Sequence, residues 1–159
     1  MTKTIPSQSS SLDDWLFYLE SVHPANIAMG LERVADVANN IGLLNTPSKI
    51  ILIGGTNGKG TTARCLESLL LAQGYSVGTY ASPHLIRYNE RVRINGQELD
   101  DQYHVDAFNT LEQGRGSTPL TYFEYGTLGA LAIFKRFEVD YVLLEVGLGG
   151  RFDATNIVT

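Results

Sequence analysis

In "ILIGGTNGKGTT", Ile51 to Thr62, an apolar run leads into a loop that sets Gly54, Gly55, Gly58 and Gly60 around Lys59. A loop between a buried strand and a helix start offers backbone N–H groups and the positive end of the helix dipole to an anion. Glycines allow close approach and positive φ, and a lysine supplies a movable cation for β- and γ-phosphates. The usual phosphate-loop spacing is G-x-x-x-x-G-K-[ST]. Here Gly54 and Gly58 enclose three residues, Gly60 follows Lys59, and the hydroxyl arrives one place later at Thr61. A plain strand-to-helix turn rarely needs Gly-Lys-Gly-Thr as well as Thr56 and Asn57. The loop is expected to hold a nucleoside triphosphate through Thr56, Asn57, Gly58, Lys59, Gly60 and Thr61.

Two further strand-like runs end in suitable oxygens. "YSVGTYAS" delivers Ser82, and "VDYVLLEV" delivers Glu145 ahead of "GLGGRFDA". A hydroxyl and a carboxylate at the same sheet edge as the loop would suit Mg²⁺. Ser82 could instead be a turn residue and Glu145 a partner for Arg151. Lys59 and Glu145 are the candidate catalytic groups. "GLGG" also invites a dinucleotide reading, but G-x-G-x-x-G would need glycine where Phe152 stands. His23, His84 and His104 lack metal-ligand spacing, and no G-x-S-x-G frames a serine nucleophile. His84 reads as a loop hydrogen-bonder, and Trp15 as core.

The elements that must position these groups follow from periodicity. Ser11 and Asp14 make a capping box before "LDDWLFYLESV", and Pro24 ends that helix. "GLERVADVANNIG" is a second amphipathic helix with Leu31, Val34, Val37 and Ile41 on one face, stopped by Gly42. "KIILIG" reads as a strand buried on both faces of a parallel sheet. The helix after the loop is expected to turn Cys65, Leu66, Leu69 and Leu70 inward and to stop at Gly74. Asn95-Gly96 marks a two-residue hairpin, and Asp100 can cap a helix towards Gln113. "TYFEYGTLGALAIFKRF" is apolar nearly all round, as in a buried helix. The fold class is α/β: three layers, a P-loop-type parallel sheet with flanking helices, and ligands at the carboxyl ends of the strands.

The 159 residues suffice for one domain with a core, and 43% hydrophobic with 18% charged residues is a globular composition. A net charge of −5 argues against a non-specific nucleic-acid binder. Arg87, Arg91 and Arg93 cluster locally, as recognition of one small anion or as the solvated face of a strand. One cysteine, Cys65, and the absence of an apolar leader or membrane-length run suit a cytoplasmic protein with no membrane partner. Residues 1–10 are expected to be a flexible lead-in and residues 11–159 an ATP-binding domain, incomplete at its C-terminal end. Exposed apolar surface would then favour aggregation.

With these residues in hand, the chain resembles the N-terminal part of the bifunctional dihydrofolate synthase/folylpolyglutamate synthase family, in the Mur ligase superfamily. The motifs are "GTNGKGTT" (55–62), "SPHL" (82–85), "YNERVRING" (88–96), "LTYFEYGTL" (120–128) and "EVGLGGRFDATN" (145–156). "GTNGK" alone marks the superfamily; the extra Gly60, "TYFE" and "GGRFDATN" narrow it to the folate branch. The resemblance implies the N-terminal portion of a Mur-ligase-like ATPase domain. It implies an ATP- and Mg²⁺-dependent ligase in which a substrate carboxylate becomes an acyl phosphate and the amine of L-glutamate captures it. Dihydropteroate and reduced folates would be the acceptors, and the full-length protein a monomer.

By position, the resemblance also implies Mg²⁺ at Ser82 and Glu145. It implies a pteroate site from Ser21, Val22, His23 and Pro24; from Thr121, Tyr122, Phe123 and Glu124; and from Phe152, Asp153 and Ala154. Asp153 could hydrogen-bond a pterin, while Phe123 could equally be helix-start packing. A further histidine ligand, a carbamylated lysine and a glutamate-binding C-terminal domain would lie beyond Thr159, so the chain by itself is expected not to turn over. Two other readings are a Mur-type cell-wall precursor ligase and a nucleotide-binding module without chemistry. A uridine-nucleotide domain before the loop would mark the first of these, and the roughly fifty residues there read as two helices, which argues against it.

Overall fold

The computed structural model describes residues 4–22 and 30–158. Five strands form one sheet in the order β1 (Lys49–Ile53), β5 (Tyr141–Glu145), β2 (Val77–Tyr80), β3 (Val92–Ile94), β4 (Gln97–Glu98). β1, β5 and β2 run parallel, with Ile53 beside Glu145 and Tyr80 beside Leu144. The parallel sheet expected from the apolar runs is therefore extended by an antiparallel hairpin, β3 and β4, which pairs onto β2. Its turn places Asn95 at φ 51° and Gly96 at φ 80°, the left-handed pair that a tight hairpin requires. The Asn95 carboxamide oxygen also accepts the Val77 N–H at 2.8 Å, tying the turn to β2.

Side chains alternate across the sheet, as the two-residue strand period demands. Ile51, Ile53, Val77 and Leu143 face α3 (Lys59–Ala72), where Ala63, Leu66 and Leu70 meet them. Ile50, Leu52, Tyr80, Val142 and Leu144 face the larger core with α1 (Leu12–Ser21), α2 (Glu32–Asn40), α4 (Asp101–Gly114) and α5 (Tyr122–Phe137). Three layers result. Trp15 is wholly buried there, and its indole N–H donates to the Ser7 carbonyl at 3.1 Å. Residues 4–10, where a flexible lead-in is expected, thus fold back onto α1. α1 begins with the Ser11–Asp14 capping box and α5 with one from Thr121 and Glu124.

On α3, Cys65 and Leu69 are exposed, not inward as expected. The stripe against the sheet runs through 63, 66, 67 and 70, so residues 65 and 69 lie about 150° and 110° from its centre. The buried residue at 67 is a glutamate. Its carboxylate accepts the Thr79 hydroxyl at 2.8 Å and pairs with Arg93 at 3.1 Å, joining α3 to β2 and β3. Arg93 is accordingly buried, and so is Arg91; neither lies on a solvated strand face. Among the described residues no helix is long and apolar enough to cross a membrane.

Candidate active site

Because β5 lies between β1 and β2, the carboxyl ends of three parallel strands stand side by side. The loop after β1 carries Thr56, Asn57 and Gly58, all exposed. Gly58 takes φ 79° and serves as the N-cap of α3, a left-handed position where a side chain would be strained. No side chain caps this helix, so its first-turn amides have no acceptor within the helix and point at whatever sits in the loop. Lys59 curls back, donating from Nζ to the Gly55 carbonyl at 2.9 Å. The Thr62 hydroxyl donates to the Gly58 carbonyl at 3.0 Å. The Thr61 hydroxyl has no partner among the described residues. Of the two threonines, Thr61 is the one available to a ligand.

Glu145 closes β5. Its Oε2 accepts the Ser82 N–H at 3.1 Å, and a Cβ built on Gly60 would stand 4.0 Å from Oε1. The loop-helix, the end of β5 and the end of β2 therefore meet around one carboxylate. Arg151 does not pair with Glu145; its guanidinium lies 5.8 Å from the Phe152 ring centroid. A groove of about 640 Å³ runs past Gly60, Arg64, Ser82, Ile86, Arg87 and Glu145. No group of three or more His, Cys, Asp or Glu that could hold a metal occurs among the described residues. One carboxylate and one hydroxyl are nevertheless the hard oxygen donors that Mg²⁺ takes when phosphate and water fill its remaining positions. On that donor chemistry the residues fit the ion.

On the other side of Ser82 lies a second cavity of about 280 Å³, lined by Pro83, Arg91, Phe123, Leu148 and Asp153 as well as Ser82. Phe123 reaches it from the first turn of α5 and stands 6.1 Å from the Tyr80 ring. Gly147 allows this approach, since a Cβ there would come within 2.6 Å of the Phe123 ring. Asp153 is buried and its carboxylate is committed. Oδ2 accepts the amides of Gly147 and Leu148 at 3.0 and 2.9 Å, and Oδ1 accepts the Thr155 amide and hydroxyl at 3.0 and 2.6 Å. With all four lone-pair sites filled, its role is to shape the 147–155 loop, not to offer a free acceptor to a pterin.

The other expected site residues are placed less directly. Thr121 and Glu124 are both buried and used internally: they cap α5, and Glu124 pairs with Arg33 at 2.6 Å. Tyr122 is half-buried under the Arg91 guanidinium. Phe152 is exposed and Ala154 buried, on either side of Asp153. The Ser21 hydroxyl donates to the Tyr18 carbonyl at 2.7 Å, and Val22 packs on the core. His23 and Pro24 lie outside the described residues.

The 82–91 segment holds residues that motif reading passes over. The Glu90 carboxylate accepts three successive amides, from Leu85, Ile86 and Arg87, at 2.6–2.8 Å. These bonds to the charged form hold its pKa down to about 2. His84 Nδ1 accepts from Arg91 Nε at 2.8 Å; burial, and then the Arg91 charge, lower the His84 pKa. The hint in the sequence is the density of charge in "RYNERVR", directly after a strand end.

This arrangement can be set against known proteins. No protein-family model matches the chain. The dihydrofolate synthase/folylpolyglutamate synthase of Escherichia coli K12 is 56% identical over 156 residues, covering 98% of this chain and 37% of the relative. A structure described as E. coli FolC in complex with DHPP and ADP superposes with a TM-score of 0.93 at 56% identity, covering 97% of this chain and 37% of that one. A Yersinia pestis bifunctional folylpolyglutamate synthase/dihydrofolate synthase complexed with AMPPNP and a Mn ion gives 0.94 at 56%, over 98% and 38%. In sequence and in fold the chain matches the dihydrofolate synthase/folylpolyglutamate synthases over a part of their length. It spans a little over a third of the length of these relatives. The Mur-ligase-like α/β architecture expected from the motifs agrees with these structures.

Proposed function

We propose that this chain is the nucleotide- and metal-binding part of an ATP-dependent ligase that joins L-glutamate to dihydropteroate and to reduced folates. The observation that carries the reading is the meeting, at one sheet edge, of the uncapped phosphate-loop helix, Ser82 and Glu145. It is supported by the relatives, whose structures hold ADP with DHPP, or AMPPNP with a metal ion. The reaction forms a bond between a substrate carboxylate oxygen and the γ-phosphorus and breaks the β–γ bridge, releasing ADP. The glutamate amine then attacks the acyl carbon, loses a proton and expels phosphate.

In this scheme the residues of the chain mainly position and neutralise charge, as phosphoryl transfer requires. First-turn amides of α3 and Lys59 hold the phosphates, and Thr56 to Thr61 form the loop. Mg²⁺ at Ser82 and Glu145 would offset charge on the transferring group. The acceptor's rings would lie in the cavity beside Phe123, flanked by Tyr122 and Phe152, with Asp153 and Ala154 forming its floor. Thr121 and Glu124 would act by fixing the start of α5, and Ser21 and Val22, at the end of α1, would edge the site. A cytoplasmic location suits these substrates, and residues 11–159 form one part of a larger domain.

The test is calorimetric titration with a non-hydrolysable ATP analogue, with and without Mg²⁺. Saturable binding strengthened by Mg²⁺ is expected. Absence of nucleotide binding at any Mg²⁺ concentration would sink the reading.

A further inference from the structure

Arg91 is a buried cation without an anion. It is 9% exposed, yet none of the ion pairs among the described residues includes it. Its guanidinium rests against the rings of Tyr88 and Tyr122, each 5.5 Å from its carbon. The Tyr80 hydroxyl is a polar neighbour that carries no charge, and Nε donates to His84 Nδ1 at 2.8 Å. That bond spends the Nε donor and turns the guanidinium, but supplies no charge. The two Nη groups are left with donors to give.

An ionised group held out of water without a counter-charge is costly, and folded proteins normally supply one. The acid that lines the same cavity, Asp153, has both oxygens committed to the 147–155 loop. Glu90, one residue away in sequence, spends its oxygens on the amides of residues 85–87. The local acids thus organise loops and leave Arg91 facing a cavity with an apolar wall, Phe123, and a path to Ser82. Such a cavity suits a flat aromatic acid whose carboxylate meets the guanidinium.

Resting on the reading above, we propose that Arg91 is a specificity-determining residue. Its Nη donors hold the carboxylate of the aromatic acid and present it at Ser82, on the side where the phosphate loop and Glu145 stand. A guanidinium fork matches a carboxylate in two parallel bonds, which a lysine at the same place cannot reproduce.

The chain would be titrated, with Mg²⁺ and a non-hydrolysable ATP analogue present, against dihydropteroate and against its methyl ester. Wild type is expected to prefer the acid by about tenfold or more, the size of a charge-assisted contact. Arg91→Gln should lose that preference by weakening acid binding while leaving ester binding in place, and Arg91→Lys should keep part of it. Unchanged affinity for the ATP analogue shows that the variant is folded. If Arg91→Gln loses it, the acid-to-ester ratio in Arg91→Lys decides. Equal binding of acid and ester by wild type, or an unchanged ratio in the variants, would overturn the Arg91 assignment and leave the ligase reading standing. Binding of nucleotide with no binding of either pteroate compound would overturn both.

Discussion

Lys59, Glu145 and His104 show how single side chains respond to where the backbone leaves them. Lys59 spans its own loop to the Gly55 carbonyl, so an arriving phosphate has to compete with a neutral acceptor that it outbids by charge. Lys59→Ala should weaken binding of the ATP analogue by roughly 10- to 100-fold, the size of a charge-assisted contact, as read by calorimetry. Glu145→Gln keeps the volume and a carbonyl acceptor for the Ser82 amide but removes the charge. Nucleotide affinity should then no longer rise when Mg²⁺ is added; a full Mg²⁺ response in this variant would remove Glu145 from the metal site.

His104 is buried against Tyr88 with its Nε2 unpartnered among the described residues. Burial, opposed by the nearby Asp101 charge, pulls its pKa from 6.5 down to about 4. The unfolded chain takes up a proton near pH 6.5 and the folded chain resists it. The stability is therefore complete above about pH 6.5 and is lost as pH falls towards 4. His104→Phe should flatten that part of the pH–stability curve, by on the order of 3 kcal/mol across the window. Thermal melts of both proteins between pH 4 and 7 would measure it, and parallel curves would refute it.

Among the elements, α3 is bound to the sheet partly by charge. Glu67 and Arg93 are 3% and 7% exposed at their side chains, and Glu67 also accepts the Thr79 hydroxyl. Removing Arg93 leaves Glu67 with only the exposed Arg64, 3.6 Å away, so Arg93→Met should cost up to about 3–5 kcal/mol, while replacing both Glu67 and Arg93 by apolar residues should recover most of it. Denaturant unfolding of the two single variants and the double variant would show the cycle. At Gly78, a Cβ would sit 2.4 Å from the Phe134 ring, so Gly78→Ala should destabilise by about 1–3 kcal/mol through overpacking of α5 on β2. A shift in the denaturation midpoint with an unchanged slope would confirm that the cost is local.

The same elements mark what the sequence makes legible. The strand runs, the Asn95-Gly96 turn, the Ser11–Asp14 capping box and the buried α5 are local patterns, and they stand in the structure where periodicity puts them. On α3, Cys65 and Leu69 mislead because hydrophobic residues surround that helix, and the charge at Glu67 conceals the true inward stripe. Arg91 and Arg93 look like surface charge for a similar reason: their burial depends on partners, Tyr88, His84 and Glu67, that are brought close only by folding. Of the candidate site, the glycine-lysine loop and the strand-end oxygens can be found by spacing alone. The occupied carboxylate of Asp153 and the clasp made by Glu90 cannot.

At the scale of the whole molecule, the chain holds a candidate phosphate edge and a neighbouring apolar cavity, on a little over a third of the length of its relatives. It should bind Mg²⁺-nucleotide but release no ADP in response to glutamate and dihydropteroate, whereas a chain of the relatives' length should. A coupled ADP assay decides, and glutamate-dependent turnover by the shorter chain would contradict this division of labour.

The strand order carries one more consequence. Among the described residues β5 follows the other four strands in sequence, yet it occupies the slot between β1 and β2 and is the parallel partner of each. During synthesis, β1, α3 and β2 emerge first and have no common partner until residues 141–145 leave the ribosome. Closing such long-range parallel pairs is the slow part of folding. The loop of Lys59 and the turn of Ser82 therefore have no fixed separation until β5 docks, and the strand that sets their spacing brings Glu145 with it. Without β5 between its neighbours, the candidate site has neither its carboxylate nor its spacing.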